Sequence, residues 1–301
     1  MRALTNTAKV LTFVWQHPAN RGGRLRAVGR AATFQLRGRL GLPTVTRIGT
    51  SASLVAELHQ HGASIVVYAN PPDWCEMVAW RRLLGPGALF IDVGSNVGAY
   101  ALWAGETGAR VIAVEPDPDA AGRLRRNIAL NTMAIEVLEC ALADRPGELS
   151  LSVGQDSMNH LVLEGTEPSR TVPVRTLDEV IGDRDVAGVK VDVEGAERLV
   201  LEGARHALAD QRIRVLQLEW NQQSERTLGE DRAPVADLLR GYGYHLMRPD
   251  EAGRLHPTEA AGYGSDMFAV ADPAIGESSE RVTVAHQRQS RQATAQSFDG
   301  C

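Results

Sequence analysis

The sequence predicts an α/β protein: a mostly parallel sheet with helices on both faces, behind a helical N-terminal extension. Three observations predict it. From residue 88 onward, apolar runs of strand length alternate with helical patterns. One run, Ala88 to Val93, leads through Gly94-Ser-Asn-Val-Gly98 into an amphipathic segment. The next run, Arg110-Val-Ile-Ala-Val, ends on Glu115, 21 residues after Gly94.

Residues 1–50 read as amphipathic helical pieces broken at His17-Pro18 and Gly22-Gly23. Residues 51–87 lead into the main domain, with a short strand at Ser64–Tyr68 and a helix from Asp73 to Leu84, stopped by Gly85-Pro-Gly87. Strands are predicted at 88–94, 110–115, 135–142, 187–193 and 214–219, each nearly all apolar, as a sheet covered on both faces requires. Helices are predicted at 96–107, 117–131, 195–209 and 231–241, and a closing strand pair at 244–248 and 266–271. These are seven strands. Residues 143–177 break the alternation and read as a β-excursion on the substrate side. The expected organisation is an extension over 1–50, a domain over 51–275 and a disordered tail over 276–301, rich in Gln, Ser and Arg.

Charge is unevenly spread. The net charge of −5 excludes a general polyanion binder, yet residues 1–56 hold nine Arg or Lys and no acid, leaving −14 on the rest. The basic arm reads either as a peripheral membrane or partner contact, or as a helical piece packed on its own acidic domain. Three cysteines without C-x-x-C spacing argue against a disulfide framework or zinc site and for a reducing cytoplasm. No apolar run reaches membrane-spanning length, and residues 10–15 are too short for a secretory core.

The loop Asp92-x-Gly-x-Asn-x-Gly98 differs from the dinucleotide pattern G-x-G-x-x-G, with Asn96 at the second glycine, where a pyrophosphate needs space. S-adenosyl-L-methionine, which has no pyrophosphate, suits it. Glu115 is placed to accept from both ribose hydroxyls. Asp92 either braces the loop or meets the ligand's amino group, Cys140, Ala141 and Leu142 would face an adenine, and Asp144 is either an adenine contact or a turn residue. In Lys190-Val-Asp192-Val-Glu194, strand periodicity puts three charges on one face, which is costly unless they are paired or functional. Glu197 reads as a first-turn carboxylate favoured by the helix dipole. Asp192 and Glu194 could hold a divalent cation, but no full ligand set is visible and no metal is expected. Glu219 ends the fifth strand at the same edge, and His160 lies in the excursion within reach of an acceptor hydroxyl.

From Leu83 to Glu219 the chain resembles the FkbM family of S-adenosylmethionine-dependent methyltransferases. The matching pieces are Phe90-Ile-Asp-Val-Gly-Ser-Asn-Val-Gly, Val114-Glu-Pro-Asp-Pro, Asn127-Ile-Ala-Leu-Asn, Arg175-Thr-Leu-Asp, Lys190-Val-Asp-Val-Glu-Gly-Ala-Glu and Leu218-Glu. Ser95 stands where alanine is frequent, and His160 falls in a segment usually rich in small residues. The resemblance implies a Rossmann-like class I methyltransferase fold with a seven-stranded sheet, and O-methylation of a sugar, glycan or secondary metabolite. The cofactor set is then Asp92, Gly94, Ser95, Asn96, Gly98, Glu115, Pro116, Asp117, Ala141, Leu142 and Asp192. Candidates for the base are Asp192, Glu194 and His160 in falling order, with Lys190 orienting them. Two other classes are weaker: an NAD-dependent oxidoreductase, against which Asn96 argues, and a non-catalytic adapter, against which the intact loop argues. A nucleic-acid substrate is not expected of so acidic a domain.

Overall fold

The computed structural model describes residues 2–58, 60–154, 160, 168–260 and 262–277. Most of the expected tail therefore lies outside the described residues. The chain opens with α1 (Arg2–Gln16) and α2 (Arg24–Arg39), joined by a short turn at Pro18–Asn20. They pack through Val14, Ala27 and Ala31. Polar groups latch them to the segment around residues 68–72: Asn20 Nδ2 donates to Val14 O and Tyr68 O, and His17 Nε2 lies 2.7 Å from Pro72 O. A hairpin of β1 (Thr44–Ile48) and β2 (Ala52–Ala56) comes next, across the boundary drawn at residue 50. Then come α3 (His61–Tyr68) and α4 (Trp74–Leu83). The strand expected at Ser64–Tyr68 is thus the body of α3. A short apolar run has no periodicity of its own, and packing that buries Ala63, Val66 and Val67 decides it.

The main sheet is built from β3 (Leu89–Val93), β4 (Arg110–Val114), β5 (Ile135–Leu138), β9 (Gly188–Val191), β10 (Val215–Leu218), β11 (His245–Pro249), β12 (Leu255–Pro257) and β13 (Met267–Val270). Seven of these match the expected strands, and β12 adds an eighth at the edge. The order is β12-β11-β13-β10-β9-β3-β4-β5. The five strands from β10 to β5 are parallel, and β13 and β12 run antiparallel to their neighbours. Chain order reverses between β3 and β9, and at such a switch point the strands' carboxyl ends open a crevice.

Crossovers fill both faces with α5 (Ala99–Gly105), α6 (Pro118–Ala129), α7 (Leu177–Ile181), α8 (Glu197–Glu202), α9 (Arg205–Ala209), α10 (Gln223–Thr227) and α11 (Ala233–Gly241), and α12 (Ala274–Glu277) comes after the last strand. Alternate residues of β3 serve opposite cores: Leu89, Ile91 and Val93 one, Phe90 the other. The helix expected at 195–209 is two. They part at Gly203, where a Cβ would stand 2.1 Å from Ala143 O. The strand expected at 135–142 also divides: β6 (Ala141–Leu142) joins β7 (Gly147–Ser152) and β8 (Ser169–Arg175) in a separate sheet of three. That sheet is the predicted β-excursion.

Candidate active site

The crevice at the switch point holds two adjacent spaces. The first, about 670 Å³, is walled by Gly94, Asn96, Glu115 and Pro116 on one side, by Cys140, Ala141, Leu142 and Leu151 on another, and by His160, Asp192 and Glu194. The second, about 1260 Å³, lies towards α3 and α5 and is lined by Asp73, Asp92, Ser95, Tyr100, Lys190 and Glu219 among others. Gly94, Asn96, Asp192 and Glu194 line both.

The loop after β3 takes its shape from two close approaches. Gly94 has φ +80°, and a Cβ there would sit 1.8 Å from Asp192 O; Gly98 has φ +90°, and its Cβ would meet Leu124 Cδ1 at 2.5 Å. Both positions exclude a side chain, but what they make room for is protein. Asn96 is left-handed at φ +48°, unusual for a residue with a side chain, and its buried Oδ1 accepts no hydrogen bond among the described residues. Its N–H donates to Glu115 Oε2 at 2.7 Å, while Asp117 N–H donates to Glu115 Oε1 at 2.9 Å. Each carboxylate oxygen keeps a lone pair for a ligand. Burial pushes the Glu115 carboxyl up to about 7, against the pull of those two N–H groups.

On β3, β9 and β10, Asp92, Lys190 and Gln217 stand in register on one face. Burial pushes the Asp92 carboxyl up, opposed by Lys190, the Ser95 hydroxyl and the Ala101 N–H, although neither oxygen has a well-aligned hydrogen-bond partner among the described residues. Lys190 Nζ donates to Asp192 Oδ2 at 2.8 Å and lies 4.6 Å above the Tyr100 ring. Burial alone would lower its pKa, but Asp192 and Asp92 outweigh burial and hold it raised and charged. Gln217, fully buried, accepts from Trp80 Nε1 and donates to Tyr100 Oη and Asp266 Oδ2.

β9 ends at Val191, so strand periodicity accounts for Lys190 alone. A loop turns Asp192 and Glu194 inward, with Glu194 at φ +53°. Glu197 stands in the first turn of α8, as expected. It is fully buried, accepts from Val193 and Gly195 N–H, and pairs with Arg232. With Glu219, which lies at the same sheet edge as expected, Asp192 and Glu194 bring carboxylate oxygens within 4.8 Å of one another. Burial, reinforced by Asp192 and Glu197, pushes Glu194 up to about 7, and burial with the same neighbours pushes Glu219 higher still.

Residues 92–246 match the model of the methyltransferase FkbM domain. The chain belongs to the FkbM methyltransferase family. It is 36% identical over 120 residues to the hexuronic acid methyltransferase AglP of Haloferax volcanii, an alignment covering 39% of this chain and 50% of that protein. It is 31% identical over 202 residues to the 31-O-demethyl-FK506 methyltransferase FkbM of Streptomyces tacrolimicus, covering 54% and 75%. The chain thus spans half the length of one curated relative and three quarters of the other. A solved TehB-like SAM-dependent methyltransferase from Corynebacterium glutamicum is 12% identical, with a TM-score of 0.38 over 81% of this chain and 96% of that one.

Within this FkbM-family site, most of the expected residues converge and others stand apart. Asp117 caps α6, accepting from Asp119 N–H, and meets Arg170. It lines neither space, and nor does Gly98. Among the described residues Asp144 meets Arg145, at 3.9 Å. His160 lines the first space and not the second, with Nδ1 3.3 Å from Ser152 Oγ. Tyr100, Gln217 and Arg232 went unread because nothing local marks them.

Proposed function

We propose that this chain methylates a hydroxyl oxygen of a sugar, glycan or secondary metabolite using S-adenosylmethionine. The observation that carries this reading is the pair of adjacent spaces, one fit for the cofactor and one for the acceptor, meeting at Gly94, Asn96, Asp192 and Glu194. The Asn96 Oδ1, which has no hydrogen-bond partner among the described residues, and the free lone pairs of Glu115 suit a ligand rich in N–H and O–H donors, with the buried carboxylate of Asp92 close by. Glu115 would take the ribose hydroxyls, Ala141, Leu142 and Leu151 the adenine, and Asp92 the amino group. When bound, the cofactor supplies an electrophilic sulfonium methyl.

The chain's own groups then position the acceptor and move one proton. Glu194 takes the hydroxyl proton, and we place it ahead of Asp192 and His160. Asp192 is committed to the Lys190 ammonium, which donates to its Oδ2 at 2.8 Å. Glu194, raised to about 7, is matched to neutral conditions. Lys190 acts as a positioning residue. A matched base contributes about 10²–10⁴-fold and positioning up to roughly 7–11 kcal/mol. Work in a reducing cytoplasm fits the free thiols of Cys75 and Cys140. Among the described residues no helix is long and apolar enough to cross a membrane.

The test is transfer of labelled methyl from S-adenosylmethionine to a panel of glycans and hydroxylated metabolites, with and without chelator. Transfer to a hydroxyl supports the reading. Thermal stabilisation by NAD and not by S-adenosylhomocysteine would overturn it.

A further inference from the structure

We propose that the N-terminal extension seats this protein on the surface of an anionic phospholipid bilayer. α2 is apolar on two opposite sides. Its inner side, Ala27, Ala31 and Phe34, is buried. At 100° per residue the outer side carries Leu25, Ala32, Leu36 and, at the cap, Leu40. Leu25 is 80% exposed, Leu36 63% and Leu40 67%. Two exposed positions four apart on α1, Leu11 and Trp15, repeat the pattern, and the Arg24 guanidinium lies 5.5 Å from the Trp15 ring. Of nine large hydrophobics exposed among the described residues, seven lie between Leu11 and Val45. Single exposed leucines need no explanation, but such a concentration does.

Charge selects the occupant. Arg26 and Arg37 flank the leucine stripe on one side, Arg24 and Arg39 on the other. All four are exposed, and none meets a carboxylate among the described residues. Residues 1–56 carry nine cations and no acid, so two copies joined by this face would set like charge against like. A nucleic acid would take the arginines but leave the leucines and Trp15 in water. A bilayer with anionic headgroups satisfies both: leucines and tryptophan enter the acyl boundary while arginines reach the phosphates. The inference is independent of which acceptor the site takes.

The test is sedimentation of the full chain with phosphatidylglycerol–phosphatidylcholine vesicles and with pure phosphatidylcholine vesicles. Expected are binding to the anionic vesicles at least about tenfold tighter than to neutral ones and release by salt. Arg26→Ala/Arg39→Ala should weaken binding by roughly 25-fold, about fivefold for each arginine near the surface. Leu25→Asp/Leu36→Asp should abolish it. All four positions are solvent-facing, and an unchanged melting temperature establishes that the variants are folded. Equal binding to neutral and anionic vesicles, or none to either, would overturn the proposal. So would tighter binding to nucleic acid, or a solution dimer that the leucine variant dissolves.

Discussion

Glu115→Gln probes the proposed cofactor cleft without needing an acceptor. The side chain is 7% exposed and holds the N–H groups of Asn96 and Asp117. Its rise from 4.5 to about 7 disfavours the ionised form by about 3 kcal/mol. The folded protein therefore keeps a proton there that the unfolded chain releases, and this group's contribution is full below pH 4.5 and lost as pH rises through about 7. Glutamine removes that decline, though one backbone N–H loses its acceptor, which costs about 1–3 kcal/mol at every pH. The melting temperature of the variant relative to wild type should thus climb between acidic and mildly alkaline pH, by at most about 6–12 °C. Affinity for S-adenosylhomocysteine moves the other way. Losing a charged acceptor for hydroxyl donors should weaken it by about 10–100-fold near pH 8. Differential scanning fluorimetry across pH and isothermal titration calorimetry read the two effects. A melting-temperature gap that turns more negative as pH rises, or unchanged affinity, would refute the reasoning.

Gly94→Ala must push Asp192 O away from a Cβ built at 1.8 Å while holding φ near +80°. The left-handed strain and the overpacking together should destabilise by about 2–5 kcal/mol, and an unchanged urea midpoint would contradict the close approach. With an acceptor in hand, the kcat of wild type should rise with pH through a limb near 7. Glu194→Gln should remove that limb and lower kcat by about 10²–10⁴-fold, whereas survival of the limb would assign the base elsewhere. Arg232→Ala strands the fully buried Glu197 without its counter-charge. The expected loss is about 3–5 kcal/mol by chemical denaturation, partly recovered by adding Glu197→Gln. A loss below about 1 kcal/mol would mean that the pair does not brace the loop over Val193–Gly195.

Much of the sheet was legible because its signals are local. The runs ending at Val93, Val114 and Leu218 are strands, and the glycine loop and Glu115 line one space as the spacing implied. Local signals misled where a segment's partner decides its state. Residues 64–68 are helical because α3 packs there, and Thr44–Ile48 is a strand because Ala52–Ala56 pairs with it. The sequence does not say what the two loop glycines approach. Their freedom is used against Asp192 O and Leu124.

By itself the sequence determined the alternation of strands and helices, the glycine loop followed by Glu115, and the charged stretch from Lys190 to Glu194. Each is a pattern that a few consecutive residues carry in their backbone preferences and polarity. Only the tertiary structure decided that Asp192 pairs with Lys190, that the carboxylates of Asp192, Glu194 and Glu219 come within 4.8 Å of one another, and that Arg232 and Glu197 hold the loop between them. These contacts arise from the order β10-β9-β3, which brings distant segments side by side. Cross-strand neighbours are set by topology and burial, and no stretch of sequence records who its neighbour will be.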